Sequence, residues 1–174
     1  MKKYISIFLA VMFLFTFTGC SEKNYEPSNV DYITIMHVKP DPVYYEVFTV
    51  SPDGGVKLYD FTLYCMQNPF DYFTDPMPPE SEYELSEWQI AENDWNSLIK
   101  VLEENRFFGL PDEIKPANGF DYSTYYIEVG SNGDVHRSGG YGAGHGQDRT
   151  NKRFMNIRDE IFACLEAGRQ NVNN

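Results

Sequence analysis

Basic residues are scarce in this chain of 174 residues. It has 14 Lys and Arg against 26 Asp and Glu, which gives a formal net charge of −12. Proteins bind nucleic acid largely through Lys and Arg contacts to phosphate, and adsorption to anionic lipid needs basic clusters. The acidic balance therefore predicts a protein that binds no nucleic acid and does not reach a membrane through its surface charge.

Metal-ligand and nucleophile motifs are also lacking. The three histidines, His37, His136 and His145, are not paired at metal-ligand spacing, and neither Cys-x-x-Cys nor Gly-x-Ser-x-Gly occurs. The glycine-rich stretch 139–146 lacks the Gly-Lys-Ser/Thr ending of a phosphate-binding loop, which favours a flexible connection with several residues at positive φ. The sequence therefore predicts no metal, no cofactor and no catalytic residue.

Long apolar runs are absent after the start of the chain. Lys2 and Lys3 precede an almost wholly apolar stretch at 4–17. This stretch is shorter than the ~20 residues with which a helix crosses a bilayer. Its basic start and the small residues at its end are typical of a secretory signal.

The signal ends in Phe17-Thr18-Gly19-Cys20, which resembles a bacterial lipobox with Phe17 in the place of the usual Leu. The resemblance implies that the Cys20 thiol receives a diacylglycerol and that cleavage before Cys20 makes it the new N-terminus. Two buried acyl chains hold a protein stably, since each CH₂ contributes ~0.8 kcal/mol. Residues 1–19 are then a lipoprotein signal peptide, and the protein is anchored to the cell membrane or outer membrane, facing outside the cytoplasm.

Beyond the signal, the chain has the length and composition of one domain. Loss of Lys2 and Lys3 with the signal moves the formal charge from −12 to −14, so the lipid alone must carry the attachment. Residues 20–29 are polar and predict a tether, 30–169 a single globular domain, and 170–174 a disordered tail. Aromatic residues make up 16% of the chain, which favours a packed core.

Alternating apolar residues bounded by turn signals predict the strands. They fall at 30–38, 43–50, 56–65, 123–130 and 135–138, with an optional short strand at 83–90. Asn132-Gly133 is a strong hairpin signal between the last two.

Two segments have the period of an amphipathic helix. The first, at 92–106, has the apolar stripe Trp95, Leu98, Ile99 and Leu102, and the second, at 151–167, has the stripe Phe154, Ile157, Ile161 and Leu165. Thr150 is the predicted cap of the second helix, and Gly168 its end. The order βββ(β)-α-ββ-α predicts an α+β fold, with an antiparallel sheet of about five strands and both helices packed on one face.

The second half of the chain contains four motifs. They are Trp95-x-x-Leu98 leading into Phe107-Phe108-x-Leu110-Pro111, Tyr125-x-Ile127-x-Val129 with Asn132-Gly133, the Gly-Gly-Tyr at 139–141, and Phe154-x-x-Ile157. Together these motifs resemble a group of small uncharacterised bacterial lipoproteins. The resemblance implies an envelope lipoprotein with an α+β domain. It implies no activity, so no site residue follows from it.

Two functions fit these observations. The first is a non-catalytic binding or interaction domain at the cell envelope that contacts a protein or a glycan. The alternative is an envelope hydrolase-like enzyme with a dispersed polar site. A cleft with convergent polar groups would favour the enzyme, and a flat aromatic surface would favour binding.

The proline-rich segment 67–82 contains the first candidate site. Phe70, Tyr72 and Phe73 stand there among acidic residues, and exposed aromatics beside carboxylates suit a sugar or a protein partner. These three residues are therefore a candidate binding loop. The alternative is that they cover one end of the core.

The start of the last helix contains the second candidate site. Arg149, Lys152 and Arg153 cluster around Thr150, where cations oppose the helix dipole. A bound anion would compensate them, because backbone N–H groups at a helix N-terminus favour one. A nearby acid such as Asp148 is the alternative.

Two cysteines remain besides Cys20. Cys65 ends a predicted strand and Cys164 lies late in a predicted helix, so the two form a candidate disulfide outside the cytoplasm. Two buried free thiols are the alternative.

The lipid on Cys20 is directly testable by mass spectrometry of the mature protein. We expect a mature chain that begins at Cys20 and carries the added mass of the lipid, whereas a Cys20→Ser variant should lack that mass and leave the membrane fraction. An unmodified Cys20 in the mature wild-type protein would refute the anchor.

Overall fold

The computed structural model describes residues 29–40, 43–61, 83–116 and 122–172. Several predictions from the sequence lie outside these ranges. They are the signal peptide, most of the tether, Cys20, Cys65, and the loop residues Phe70, Tyr72 and Phe73.

The described chain forms six strands and two α-helices. In chain order they are β1 (Val30–Pro40), β2 (Val43–Val50), β3 (Gly55–Phe61), β4 (Glu84–Gln89), α1 (Glu92–Glu104), β5 (Thr124–Ser131), β6 (Asp134–Tyr141) and α2 (Arg149–Val172). A short 3₁₀ turn, Phe107–Gly109, follows α1. The predicted α+β class is confirmed, and the optional strand at 83–90 exists as β4.

All six strands belong to one sheet in the order β4-β3-β2-β1-β5-β6. Each neighbouring pair is antiparallel. Strand β1 lies inside the sheet, with β2 on one side and β5 on the other. Two strands that are distant in sequence, β2 and β5, are thereby brought to either side of the same residues of β1.

The period-two alternation of the strands divides the apolar residues between the two faces of the sheet. One face contributes Ile33, Ile35, Ile127 and Val129 to the main core. The opposite face has a smaller buried cluster of Met36, Tyr45, Val47, Phe61 and Tyr126. Tyr59 packs against this second cluster, to which Phe61 belongs. Strand β3 is described as far as Phe61, and the rest of the predicted strand, up to Cys65, lies outside the described residues.

Both helices bury their predicted apolar stripes in the main core. Leu98 and Leu102 of α1 are fully buried, as are Phe154, Ile157 and Ile161 of α2. Burial of one such side chain is worth about 1.5–3 kcal/mol, so these contacts fix both helices on the same face of the sheet. Among the described helices, none is long and apolar enough to cross a membrane.

The ends of α2 differ from the prediction. Thr150 is not the cap, because the helix begins at Arg149 and the Asp148 carboxylate accepts the backbone N–H of Asn151 at 3.0 Å. At the other end the helix continues to Val172, so residues 170–172 are helical rather than a disordered tail. Gly168 lies inside the helix, where a Cβ would stand 2.9 Å from the Gln89 carbonyl oxygen. Its small size serves close packing of α2 on the end of β4.

The glycine-rich stretch is ordered where it forms the end of β6. Gly139 and Gly140 belong to that strand, and residues 112–114 lie alongside it in a parallel bridge. The Ile114 N–H donates to the Gly139 carbonyl oxygen at 2.7 Å, and the Gly139 N–H donates to the Asp112 carbonyl oxygen at 3.1 Å. A Cβ on Gly139 would stand 2.1 Å from the Tyr125 carbonyl oxygen. Close backbone contact, rather than flexibility, therefore requires glycine here.

We expect Gly139→Ala to lower the free energy of unfolding by about 3 kcal/mol or more, because it adds a backbone clash to a φ of +156°. Gly133→Ala is the matched control, since Gly133 has a φ of +79° and no atom within 4 Å of its Cβ position. Strain alone should cost that control about 1–2 kcal/mol. Urea unfolding of both variants measures the difference, and equal losses would show that β5 moves aside to admit the Cβ of residue 139.

Candidate functional site: a pocket between α2 and the sheet

A pocket of about 300 Å³ lies between the C-terminal half of α2 and the helix-facing side of the sheet. Its walls are aromatic and apolar, and its polar groups come from two strands, β1 and β2, and from the helix. The apolar lining consists of Phe48, Trp88, Tyr125, Phe162 and Leu165. The polar lining consists of His37, Lys39, Glu46, Glu166 and Arg169.

Strand alternation places His37 in this pocket. Ile33 and Ile35 face the main core, and His37 follows them at the next position of the same parity. Its register partners are Glu46 in β2 and Tyr125 in β5. A titratable ring thus stands where the strand pattern calls for an apolar side chain, between a carboxylate and an aromatic ring.

The two neighbours hold the imidazole of His37 in one orientation. Its Nδ1 lies 3.0 Å from Oε2 of Glu46, and its ring stacks on Tyr125 with centroids 4.5 Å apart and an angle of 10° between the planes. Lys39 Nζ lies 3.6 Å from the same Glu46 oxygen. Because a carboxylate oxygen accepts hydrogen bonds, this arrangement assigns the proton to Nδ1. Nε2 is then an acceptor in the neutral ring and a donor in the imidazolium.

Two residues of the lining each have a ring nitrogen that no described residue pairs with. His37 Nε2 and Trp88 Nε1 are buried and find no hydrogen-bond partner among the described residues. Each residue is only 8% exposed. An unpartnered buried donor or acceptor costs about 1–3 kcal/mol, so two such nitrogens in one pocket lining are a considerable cost to the stability of the fold.

The aromatic walls pack against one another edge to face. Phe162 of α2 meets Phe48, His37 and Tyr125 with ring centroids 5.9, 5.9 and 6.1 Å apart. Phe48 also meets Trp88 at 6.3 Å. Such contacts add about 0.5–1.5 kcal/mol per pair beyond area burial. These contacts hold the aromatic side chains of the lining in place against one another.

Cationic groups lie over two of these rings. The Arg169 guanidinium lies 6.0 Å from the centre of the Trp88 ring, and that of Arg158 lies 4.9 Å from the centre of the Tyr125 ring. Both distances are within reach of a cation–π interaction. Helix α2 therefore contributes charge as well as apolar surface to this part of the molecule.

A polar cluster on the opposite face of the sheet shows how buried charge is otherwise treated in this protein. Glu128 is buried, and its carboxylate accepts hydrogen bonds from the Tyr32 hydroxyl at 2.9 Å and from Arg137 Nη2 at 2.6 Å. Burial, followed by the hydrogen bond to Glu128, raises the pKa of Tyr32 to about 12. Both oxygens of the Glu128 carboxylate thus accept hydrogen bonds, which is typical of a structural cluster. The ring nitrogens of the pocket differ in this respect.

The predicted anion site is not part of the pocket. Asp148 supplies a carboxylate to the first turn of α2, where hydrogen bonds from Asn151 lower the pKa of Asp148. Arg153 donates to the carbonyl oxygens of Asn105 and Arg106, and Arg149 and Lys152 are exposed. The Asp148 carboxylate therefore caps the start of α2, and an anion site around Thr150 stays a prediction.

Cys164 is a buried free thiol, so the structure shows no disulfide at this position, and Cys65 lies outside the described residues. The Sγ of Cys164 lies 3.9 Å from the Asp94 carbonyl oxygen. Burial, with smaller contributions from Glu160 and Asp94, raises the pKa of the thiol to about 11. Cys164 is therefore a protonated core residue at neutral pH.

The described residues contain no group of three or more His, Cys, Asp or Glu side chains that could hold a metal ion. Comparison of the chain with protein-family models and with curated proteins finds no match.

The raised pKa of Cys164 predicts a pH-dependent stability. The unfolded chain loses the thiol proton near the ordinary value of 9.0, whereas the folded protein keeps it to about 11. The unfolded state binds fewer protons between these values, so stability falls as pH rises through that window.

We expect wild-type protein to lose unfolding free energy faster than Cys164→Ala across this pH range, in urea unfolding at stepped pH. The cavity left by the Ala side chain shifts the variant by an offset that does not depend on pH. Parallel curves would show that the thiol ionises equally in both states.

Proposed function

We propose that this protein is a lipid-anchored protein of the cell envelope whose domain binds a ligand in the pocket between α2 and the sheet without chemically changing it. The lipobox-like segment ending at Cys20 supports the anchor, and the acidic balance of the chain supports a lipid rather than an electrostatic attachment. The pocket supports the binding role.

The observation that carries the binding role is the pair of unpartnered nitrogens, His37 Nε2 and Trp88 Nε1. Ligand sites combine apolar and aromatic walls with a few placed polar groups, and this pocket has both. A bound molecule that pairs with the two nitrogens would recover the free energy that their burial costs. The fold thus keeps these two polar groups at a cost in stability, as expected of a functional surface.

The position of the pocket along β1 supports access from outside the membrane. The tether joins the domain at Val30, and His37 lies seven positions further along the strand. At ~3.3 Å per residue the two are separated by about 23 Å. A ligand can therefore reach the pocket at the end of β1 remote from the tether.

The hydrolase is the second candidate, and the His37–Glu46 pair is the observation that favours it. A carboxylate that orients an imidazole is the base part of many hydrolytic sites. Sites that form a covalent intermediate also place a nucleophile beside the imidazole, and the described lining of the pocket includes no Ser, Thr or Cys. The geometry therefore favours binding.

Tryptophan fluorescence tests the binding role, because one of the two tryptophans lines the pocket. Trp95→Phe leaves Trp88 as the sole reporter. We would titrate the full-length Trp95→Phe protein in detergent with neutral sugars, α-amino acids, aromatic carboxylates and primary amines. A saturable change in Trp88 emission with at least one class is the expected result.

Trp88→Phe, which keeps Trp95, is the matched control and should show no saturable change. If no class changes the emission of Trp88, the binding role is refuted. Release of a chemically altered probe, detected by mass spectrometry, would instead support the hydrolase.

A further inference from the structure

The geometry points to a ligand class for this pocket, and the inference rests on the binding role proposed above. We propose that the pocket holds one neutral sugar ring, such as the terminal unit of an envelope glycan. Its hydroxyl groups would pair with His37 Nε2 and Trp88 Nε1, and its C–H faces would lie against the aromatic walls.

Hydrogen-bond chemistry favours hydroxyl groups over charged ones. Trp88 Nε1 only donates, whereas His37 Nε2 accepts in the neutral ring and donates in the imidazolium. A carboxylate only accepts and cannot pair with the neutral His37 ring, and an ammonium only donates and cannot pair with Trp88. A hydroxyl group both donates and accepts, so a ring with several hydroxyls satisfies both nitrogens in either state of His37.

The charge of the pocket also favours a neutral ligand. Its lining has two cations, Lys39 and Arg169, and two carboxylates, Glu46 and Glu166. Glu46 already interacts with both Lys39 and His37, and Arg169 lies over the Trp88 ring. An ionic ligand would meet equal numbers of like and opposite charges, whereas a neutral one needs no counter-ion.

The size and walls of the pocket favour a single ring. A volume of about 300 Å³ is at the lower end of the range of small-molecule pockets, which runs from about 300 to 1,000 Å³. Phe48 offers aromatic surface on the sheet side, and Phe162 offers it on the helix side. The C–H face of a pyranose is apolar and flat, so it can pack on such rings while its hydroxyl edge meets the nitrogens.

Isothermal calorimetry on the full-length protein in detergent tests the ligand class. The probes are the methyl glycosides of glucose, galactose, mannose and N-acetylglucosamine, with cyclohexanol, benzoate, glycine and putrescine as non-sugar controls. We expect at least one glycoside to bind with a Kd of about 1 mM, as suits a ligand of this size, and the controls to bind at least about tenfold more weakly.

Two variants locate the binding. His37→Leu and Trp88→Phe each remove one of the two nitrogens, and each should weaken glycoside binding about five- to tenfold. Trp95→Phe lies outside the pocket lining and should leave the affinity unchanged. Because His37→Leu also disturbs Glu46, the ¹⁵N signal of His37 Nε2 in the wild-type protein gives a second measurement, and it should shift as the glycoside saturates the site.

The outcomes separate the ligand class from the binding role. Binding of benzoate, glycine or putrescine, without binding of any glycoside, would overturn the sugar and leave the binding role intact. Cyclohexanol that binds as tightly as the glycosides would show that apolar contact alone is recognised, which also overturns the sugar. Absence of binding by every probe, together with a silent Trp88 in the fluorescence titration, would overturn both proposals.

Discussion

The pairing of β1 with a neighbour on each side is the constraint on which the rest of the structure depends. The strand is also covered on both faces, because Ile33 and Ile35 are buried toward the helices and Met36 is buried on the opposite face. A one-residue slip would turn every one of these side chains to the wrong face. The register is therefore strongly specified, and with it the position of His37 between Glu46 and Tyr125.

That constraint explains how the pocket can hold groups that are unfavourable in a core. The imidazole of His37 and the indole of Trp88 carry polar nitrogens, but their neighbours in the pocket are mainly aromatic rings. Sheet pairing and the edge-to-face contacts of Phe162 hold these walls in place. Because sheet pairing and aromatic packing supply the stability, the pocket can contain polar atoms that make no hydrogen bond within the described fold.

Local patterns predict the fold but not the pocket. The stripes of both helices and the alternation of β5 depend on nearby residues, and the sequence therefore predicts them. The start of α2 is missed because Thr150 and Asp148 are both good caps, and only the geometry selects Asp148. The pocket requires the strand order, which brings Tyr125 beside His37 across 88 positions of sequence, and no local pattern contains that information. The inward parity of His37 after Ile33 and Ile35 is the one signal that could have drawn attention to it.

Trp88 lies on β4, at the edge of the sheet, and the absence of a side chain on Gly168 lets α2 approach the end of that strand. Edge strands tend to open locally at lower free energy than central ones. A molecule bonded to both Trp88 and His37 would link the edge of the sheet to its centre. Occupancy of the pocket would then protect the amides of β4 from hydrogen exchange, so the order of this edge strand would itself report whether the site is filled.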